Sequence, residues 1–353
     1  MSLSFFLGAN SAYGFFSLYD ELINLKDAET VYVLKGGPGS GKSSIMKKAA
    51  RSAEKKGIEI EFIYCSSDPD SLDGVVFPSL KKAIVDGTSP HVVEPKYPIA
   101  VERYIDLGRF ADAEEISRKK ALIIDVKERH SDYFKHIYRL TSSALHIENE
   151  LFDIALGGVS LAKLHKRARG IIAREITSKS DKKPSKRRFS SAISPKGYIS
   201  NIADSINNFT HIYVIEDDFG LGQFFLSPIA DAIKNAGFEC FECLNPLNPE
   251  RLENIIVPEL SLAFITSDAE RRYTGIYHRK IRLNSSIDKN VLKDNKCRIS
   301  TLKKLKASLI NDACTLLKEA KLVHDELEDL YNPHIDFESL YKYADELIAE
   351  IFE

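Results

Sequence analysis

Val31-Tyr-Val-Leu-Lys-Gly-Gly-Pro-Gly-Ser-Gly-Lys-Ser-Ser-Ile45 decides how the rest of the chain is read. Residues 31–34 form a short apolar run suited to a buried parallel strand, and residues 43–53 carry a helical pattern. Between them stands Gly36-x-x-x-x-Gly41-Lys42-Ser43, the spacing of a loop that wraps phosphate. Glycine lets such a backbone turn back on itself and approach an anion without a Cβ collision. The amides then point inward, and the following helix presents its positive end at the same place. Gly36, Gly37, Pro38, Gly39, Ser40, Gly41, Lys42, Ser43 and Ser44 are therefore the expected contacts of a nucleoside triphosphate. Lys42 would reach the β- and γ-phosphates, and the Ser43 hydroxyl would ligate Mg²⁺.

Working outward, the order strand, loop, helix continues. Gly57 stops the helix, residues 58–65 read as a second strand, a polar loop follows to Gly74, and residues 82–86 read as a third strand ending in Asp86. Strands alternating with helices imply an α/β unit with a parallel sheet. Between residues 112 and 177 the pattern turns to long charged helices, broken near Gly157-Gly158. Residues 179–187 are polar, basic and interrupted by Pro184, which reads as a solvated linker.

The second half then repeats the first. Residues 211–215, His-Ile-Tyr-Val-Ile, echo residues 30–34, Thr-Val-Tyr-Val-Leu. Gly237, Glu239, Pro249, Leu252, Pro258, Leu260 and Ala263 match Gly57, Glu59, Pro69, Leu72, Pro78, Leu80 and Ala83 at one constant offset. The expected organisation is a tandem duplication of an α/β domain, each copy with a helical tail: 1–178, a linker 179–187, and 188–353. The copies differ at the loop. Asp217 stands where Gly36 does, Gln223 for Lys42, Phe224 for Ser43 and Thr266 for Asp86. Carboxylates repel phosphate and Phe224 cannot hold magnesium, so the second copy is expected to keep the fold and lose the nucleotide.

The loop resembles that of the P-loop NTPase superfamily. Gly14-Phe15, the loop itself, Val85-Asp-Gly-Thr-Ser-Pro-His91 and the His324-Asp-Glu-Leu tail together resemble an uncharacterised bacterial family of tandem two-domain P-loop ATPases. The resemblance covers nearly the whole chain and implies ATP binding and hydrolysis. In that family the second half can carry its own P-loop, so its loss here puts a second active site in doubt.

Asp86 ends an apolar strand, as a magnesium-binding Walker B acid does; an Asp-Gly turn is the other reading. Gly87 follows it where many motor ATPases have a glutamate, so the base that activates water must lie elsewhere. Asp68 is the first choice, with Asp70 and Asp73 in the same loop, although an Asp- and Ser-rich capped turn explains them equally well. His91 could sense the γ-phosphate or be a plain loop histidine, and Lys96, Arg103 and Arg109 could stabilise transition-state charge. Cys240-x-x-Cys243 lies in a strand, where residues three apart face opposite ways, so it reads as structural.

Composition sets the frame. The 353 residues are 44% hydrophobic and 28% charged, with net charge −2 and five cysteines. Those values suit a globular protein of the reducing cytoplasm and make nucleic acid an unlikely partner. No apolar run approaches the ~20 residues that span a bilayer, and the N-terminus lacks a signal-peptide pattern. The leading expectation is a Mg²⁺-dependent ATPase with an N-terminal active site, with an unidentified protein partner or a homodimer left open. A small-molecule kinase using the same loop and an interaction module that binds nucleotide without turnover are the alternatives.

Overall fold

The computed structural model describes residues 2–181 and 183–353. Strand β1 (Ser2–Phe6) precedes a hairpin, β2 (Gly8–Ser11) and β3 (Gly14–Ser17). Then come β4 (Thr30–Lys35), helix α1 (Lys42–Lys55), β5 (Ile60–Tyr64), β6 (Leu72–Phe77), β7 (Lys82–Asp86) and β8 (Glu102–Asp106). Helices α2 (Ala113–Arg118), α3 (Lys120–Leu156) and α4 (Leu161–Glu175) close the first half. The second half has β9 (Ser185–Arg188), a hairpin of β10 (Ser191–Ser194) and β11 (Gly197–Ser200), α5 (Ile202–Ser205), β12 (His211–Glu216) and α6 (Gly222–Asn235). It continues through β13 (Cys240–Leu244), β14 (Leu252–Val257), β15 (Leu262–Ser267) and β16 (Arg279–Arg282) to α7 (Lys289–Asp294), α8 (Lys296–Tyr331) and α9 (Phe337–Ile351).

The two six-stranded sheets run β1-β5-β6-β7-β4-β8 and β9-β13-β14-β15-β12-β16, so each strand has a counterpart in the same place. Irregularities correspond as well. The register shifts after Ile63 and after Cys243, and Lys81 and Ser261 both adopt left-handed backbone after a Pro-initiated turn. This architecture is compatible with a tandem duplication.

The sheets are mixed, not parallel as the alternation suggested. β6 is antiparallel to both β5 and β7, and β14 to β13 and β15. The connections 65–71 and 78–81 are too short for a parallel crossover, which needs about a dozen residues.

The halves pack face to face. One core of Phe5, Val33, Ile63 and Val85 with Val214, Phe241, Cys243 and Ile265 lies between the two sheets. Phe6 and Phe189, at corresponding positions, exchange backbone hydrogen bonds of 2.8 and 2.9 Å, so a local two-fold axis runs between them. Cys240 and Cys243 point into different cores on opposite faces of their sheet.

The helical tails are exchanged. The outer face of the first sheet is covered by α1 and by α9, through Leu340, Ala344, Leu347 and Ile351. The outer face of the second is covered by α6 and by α4, through Leu164, Ala168 and Ile171. Helices α3 and α8 pack along each other and carry each tail across. Segments 1–178 and 188–353 are therefore not independently closed units.

Nor do residues 179–187 form a wholly solvated linker. Ser185 to Arg187 belong to β9, and fully buried Arg188 meets Glu61 at 3.1 Å, while Lys186 meets Glu61 at 2.8 Å and Glu239 at 3.0 Å. The basic run was invisible as a strand because its partners lie far away in sequence. Burial pushes the Glu61 carboxyl up, but Arg188 and Lys186 more than offset that and leave it below its ordinary value. Among the described residues, no helix is long and apolar enough to cross a membrane.

Candidate functional site

β4, buried on both faces, delivers the glycine loop to its C-terminal end, and α1 begins at Lys42. Gly41 precedes the helix at φ 77° and Gly39 at φ 69°, left-handed conformations in which a side chain would be strained. Lys42 is folded back over the loop: its Nζ donates to the carbonyls of Gly36 and Gly37 at 3.0 Å and lies 3.8 Å from Asp86 Oδ2. The neighbouring strand β7 places Asp86 there, one position past the register partner of Val33. Asp86 Oδ1 accepts from the amide and hydroxyl of Thr88 at 2.8 and 2.6 Å, so the turn reading is also correct as local geometry. Its Oδ2 faces the Lys42 ammonium and takes no part in that turn. The Ser43 hydroxyl oxygen accepts the Leu72 amide at 2.9 Å and retains a second lone pair.

The loop is not built by the first half alone. The ring of Tyr331 lies where a Cβ on Gly37 would come within 3.0 Å, and Asn332 Oδ1 within 2.0 Å of one on Gly39. His324, with Nε2 3.5 Å from Glu328 Oε1, holds the Glu328 carboxyl below its ordinary range, and the nearby Gly39 backbone adds to this. Glu328, Tyr331 and Asn332 end α8, which belongs to the second half. Nothing in the loop's sequence points to them; only the exchanged helices do.

The remaining sequence candidates are spread out. Asp68 accepts from the Ser71 hydroxyl at 2.8 Å and faces Lys321 of α8 at 3.7 Å; its partners are not Lys42 or Asp86. Asp70 pairs with Lys196 at 2.6 Å, Lys96 with Asp20 at 3.0 Å and Arg103 with Glu350 at 2.5 Å. Arg109 lies 4.0 Å over the Tyr343 ring. Lys96, Arg103 and Arg109 thus engage Asp20, Glu350 and Tyr343, not the glycine loop.

Asp73 and His91 do meet. His91 is buried between Phe15 and Tyr19, with Nε2 3.3 Å from Asp73 Oδ2, and Tyr19 donates to the same oxygen at 2.7 Å. Cys65 at the end of β5 completes the cluster: its Sγ, an Asp73 oxygen and an imidazole nitrogen all lie within 4.8 Å of one another. Burial holds the Asp73 carboxyl above its usual value, and His91 and Tyr19 offset only part of that.

At the corresponding place in the second half the same backbone holds different chemistry. Asp217 turns its own carboxylate into the loop, accepting the amides of Phe219, Leu221 and Gly222 at 3.1, 3.0 and 2.6 Å. That is an anion-binding nest filled from within. Phe152 of α3 stacks on Phe224, as α8 covers the other loop. Arg271 pairs with Glu253 at 2.6 Å and with Asp268, where the first half has His91, Asp73 and Thr88. A cavity of about 190 Å³ beside them is lined by Glu148, Arg251, Lys303 and Lys306.

Comparison with known proteins finds no matching family model, no matching curated protein and no matching solved structure.

Proposed function

We propose that the first half binds a nucleoside triphosphate, by default ATP, with Mg²⁺ at the glycine loop and hydrolyses it, while the second half retains a closed pseudo-site. The observation that carries this reading is the contrast between corresponding loops. One fills its amide nest with Asp217; the other has no carboxylate of its own and sets Lys42 beside Asp86. Phosphate oxygens would take the amides of Gly37 and of residues 39–43, and Lys42 would leave its carbonyl partners for them. Ser43 and Asp86 would hold Mg²⁺ through the lone pair and the Oδ2 that their present hydrogen bonds leave free, and the ion would neutralise charge on the leaving phosphates.

The end of α8 gives the reading a mechanical consequence. The Glu328 carboxylate lies near the Gly39 backbone and would repel a phosphate, so binding would favour a shift of that helix end. Because α8 continues into α9 on the first sheet's outer face, the second half would register occupancy of the first. The test is phosphate release from Mg²⁺-ATP with no acceptor added. Wild type should release phosphate and Lys42→Ala should not; equal rates would sink the proposal.

A further inference from the structure

The cluster beside the loop carries an inference that does not depend on nucleotide binding. We propose that Cys65, Asp73 and His91 form a site for a divalent transition-metal cation of the zinc class. It would be held by one thiolate sulfur, one carboxylate oxygen and one imidazole nitrogen, with a fourth position open.

Three separate elements converge to make it. Cys65 follows β5, Asp73 lies in β6, and His91 lies in the loop after β7. The imidazole Nε2 and carboxylate Oδ2 are 3.3 Å apart. That is roughly the edge of a tetrahedron whose metal–ligand bonds are about 2.0–2.3 Å. Asp73 and His91 are 5% and 7% exposed, so water does not compete strongly at their side of the cluster. His91 Nδ1 is buried without a hydrogen-bond partner, so the ring is not fixed by an ordinary structural role for both nitrogens.

The second half supplies an internal control. Positions 245, 253 and 271 correspond to 65, 73 and 91, and hold Asn, Glu and Arg. There the buried carboxylate of Glu253 is neutralised by the permanent charge of Arg271, 2.6 Å away. In the first half that place is taken by residues that can ligate, and among the described residues no Arg or Lys pairs with Asp73. A bound cation would supply the charge that Arg271 supplies in the other copy.

The ligand types select the ion. Sulfur and imidazole nitrogen suit zinc-class cations and not Mg²⁺, which takes oxygen donors in near-octahedral geometry. Binding replaces the Cys65 thiol proton, which leaves to solvent, so uptake releases one proton.

Co²⁺ tests this. The full chain carrying Cys297→Ser, which removes the exposed thiol, is stripped with chelator and titrated with Co²⁺. The expected result is one Co²⁺ per chain with a near-ultraviolet sulfur-to-cobalt band and visible bands of tetrahedral intensity. Cys65→Ser should abolish the sulfur band, and His91→Ala should weaken binding by at least the ~10–100-fold that losing even an outer-shell partner costs. Cys243→Ser should leave both unchanged. No sulfur band in the parent, or a band that survives Cys65→Ser, overturns the proposal. If Cys65→Ser does not fold, the decision rests on Zn²⁺: it should raise the Tm of the parent and not that of Asp73→Asn, and equal shifts overturn it.

Discussion

Loops 36–43 and 217–224 occupy corresponding places in one chain, after the same strand and before the same helix, yet they treat an anion in opposite ways. The second has internalised one. Asp217 satisfies three amides that would otherwise face a ligand, and Phe152 stacks on Phe224 beside them. The first has no carboxylate of its own in the loop and keeps a lysine, a hydroxyl and a carboxylate within one turn of chain or one strand pairing. The amides of such a loop can be satisfied by a side chain of the chain itself, as Asp217 does here.

The same exchange of chemistry at corresponding positions occurs where the halves meet. Phe5 stacks on Phe241 with ring centroids 4.9 Å apart, and at the symmetry-related place Arg188 pairs with Glu61. The largest effect is expected here. Glu61→Gln strands a fully buried guanidinium and should cost about 3–5 kcal/mol in urea unfolding. Because the folded-state pKa of Glu61 is depressed, its contribution is present above the unfolded value of 4.5 and is lost as pH falls through the lower folded value. In Glu61→Gln that part of the acid limb should disappear. A cost below that of an exposed Glu→Gln would break the comparison.

Asp217→Ala comes next. It leaves three amides of the second loop without their acceptor, and should lower stability by about 2 kcal/mol by the same measurement. It should not create nucleotide binding, because Gln223 and Phe224 remain. A neutral result would show that Asp217 is not what closes the pseudo-site.

Glu328→Gln sharpens the contrast from the other side. Removing one like charge from the mouth of the first loop should tighten ATP roughly fivefold, about 1 kcal/mol, as measured by calorimetry. Weaker binding would mean that Glu328 helps to hold the ligand. The smallest expected effect is in the α3–α8 pair. Burial, with His324 nearby, lowers His130 to about 4 from 6.5. The unfolded chain then takes up a proton between those values and the folded chain does not, so stability should fall as pH drops from 6.5 towards 4. His130→Leu should flatten that slope in a series of thermal melts.

Much of this was legible in the sequence. The strand before the loop, helix α1 and strand β7 ending in Asp86 followed from periodicity and glycine placement, and the correspondence of the halves followed from one constant offset. What was not legible depended on distant pairing. β6 reverses because of short connections, which an apolar run of residues alone does not reveal. Residues 185–187 looked like part of a charged linker because Glu61 and Glu239, which pair with Lys186, lie elsewhere in the chain. The exchanged tails could not be read, since an amphipathic helix records that it will be buried, not against which half. For that reason Glu328, Tyr331 and Asn332 were missed at the loop. Cys65, Asp73 and His91 were each visible as residues, but their convergence needed β5, β6 and the loop after β7 side by side.

The most direct measurement is calorimetric titration of the full chain with Mg²⁺-ATP. The account predicts one nucleotide per chain, and binding at least ~100-fold weaker in Lys42→Ala, the cost of about 3 kcal/mol typical for removing a charge partner. Two nucleotides per chain would contradict the closed pseudo-site. No binding by wild type, or binding unaffected by Lys42→Ala, would contradict the assignment of the first loop.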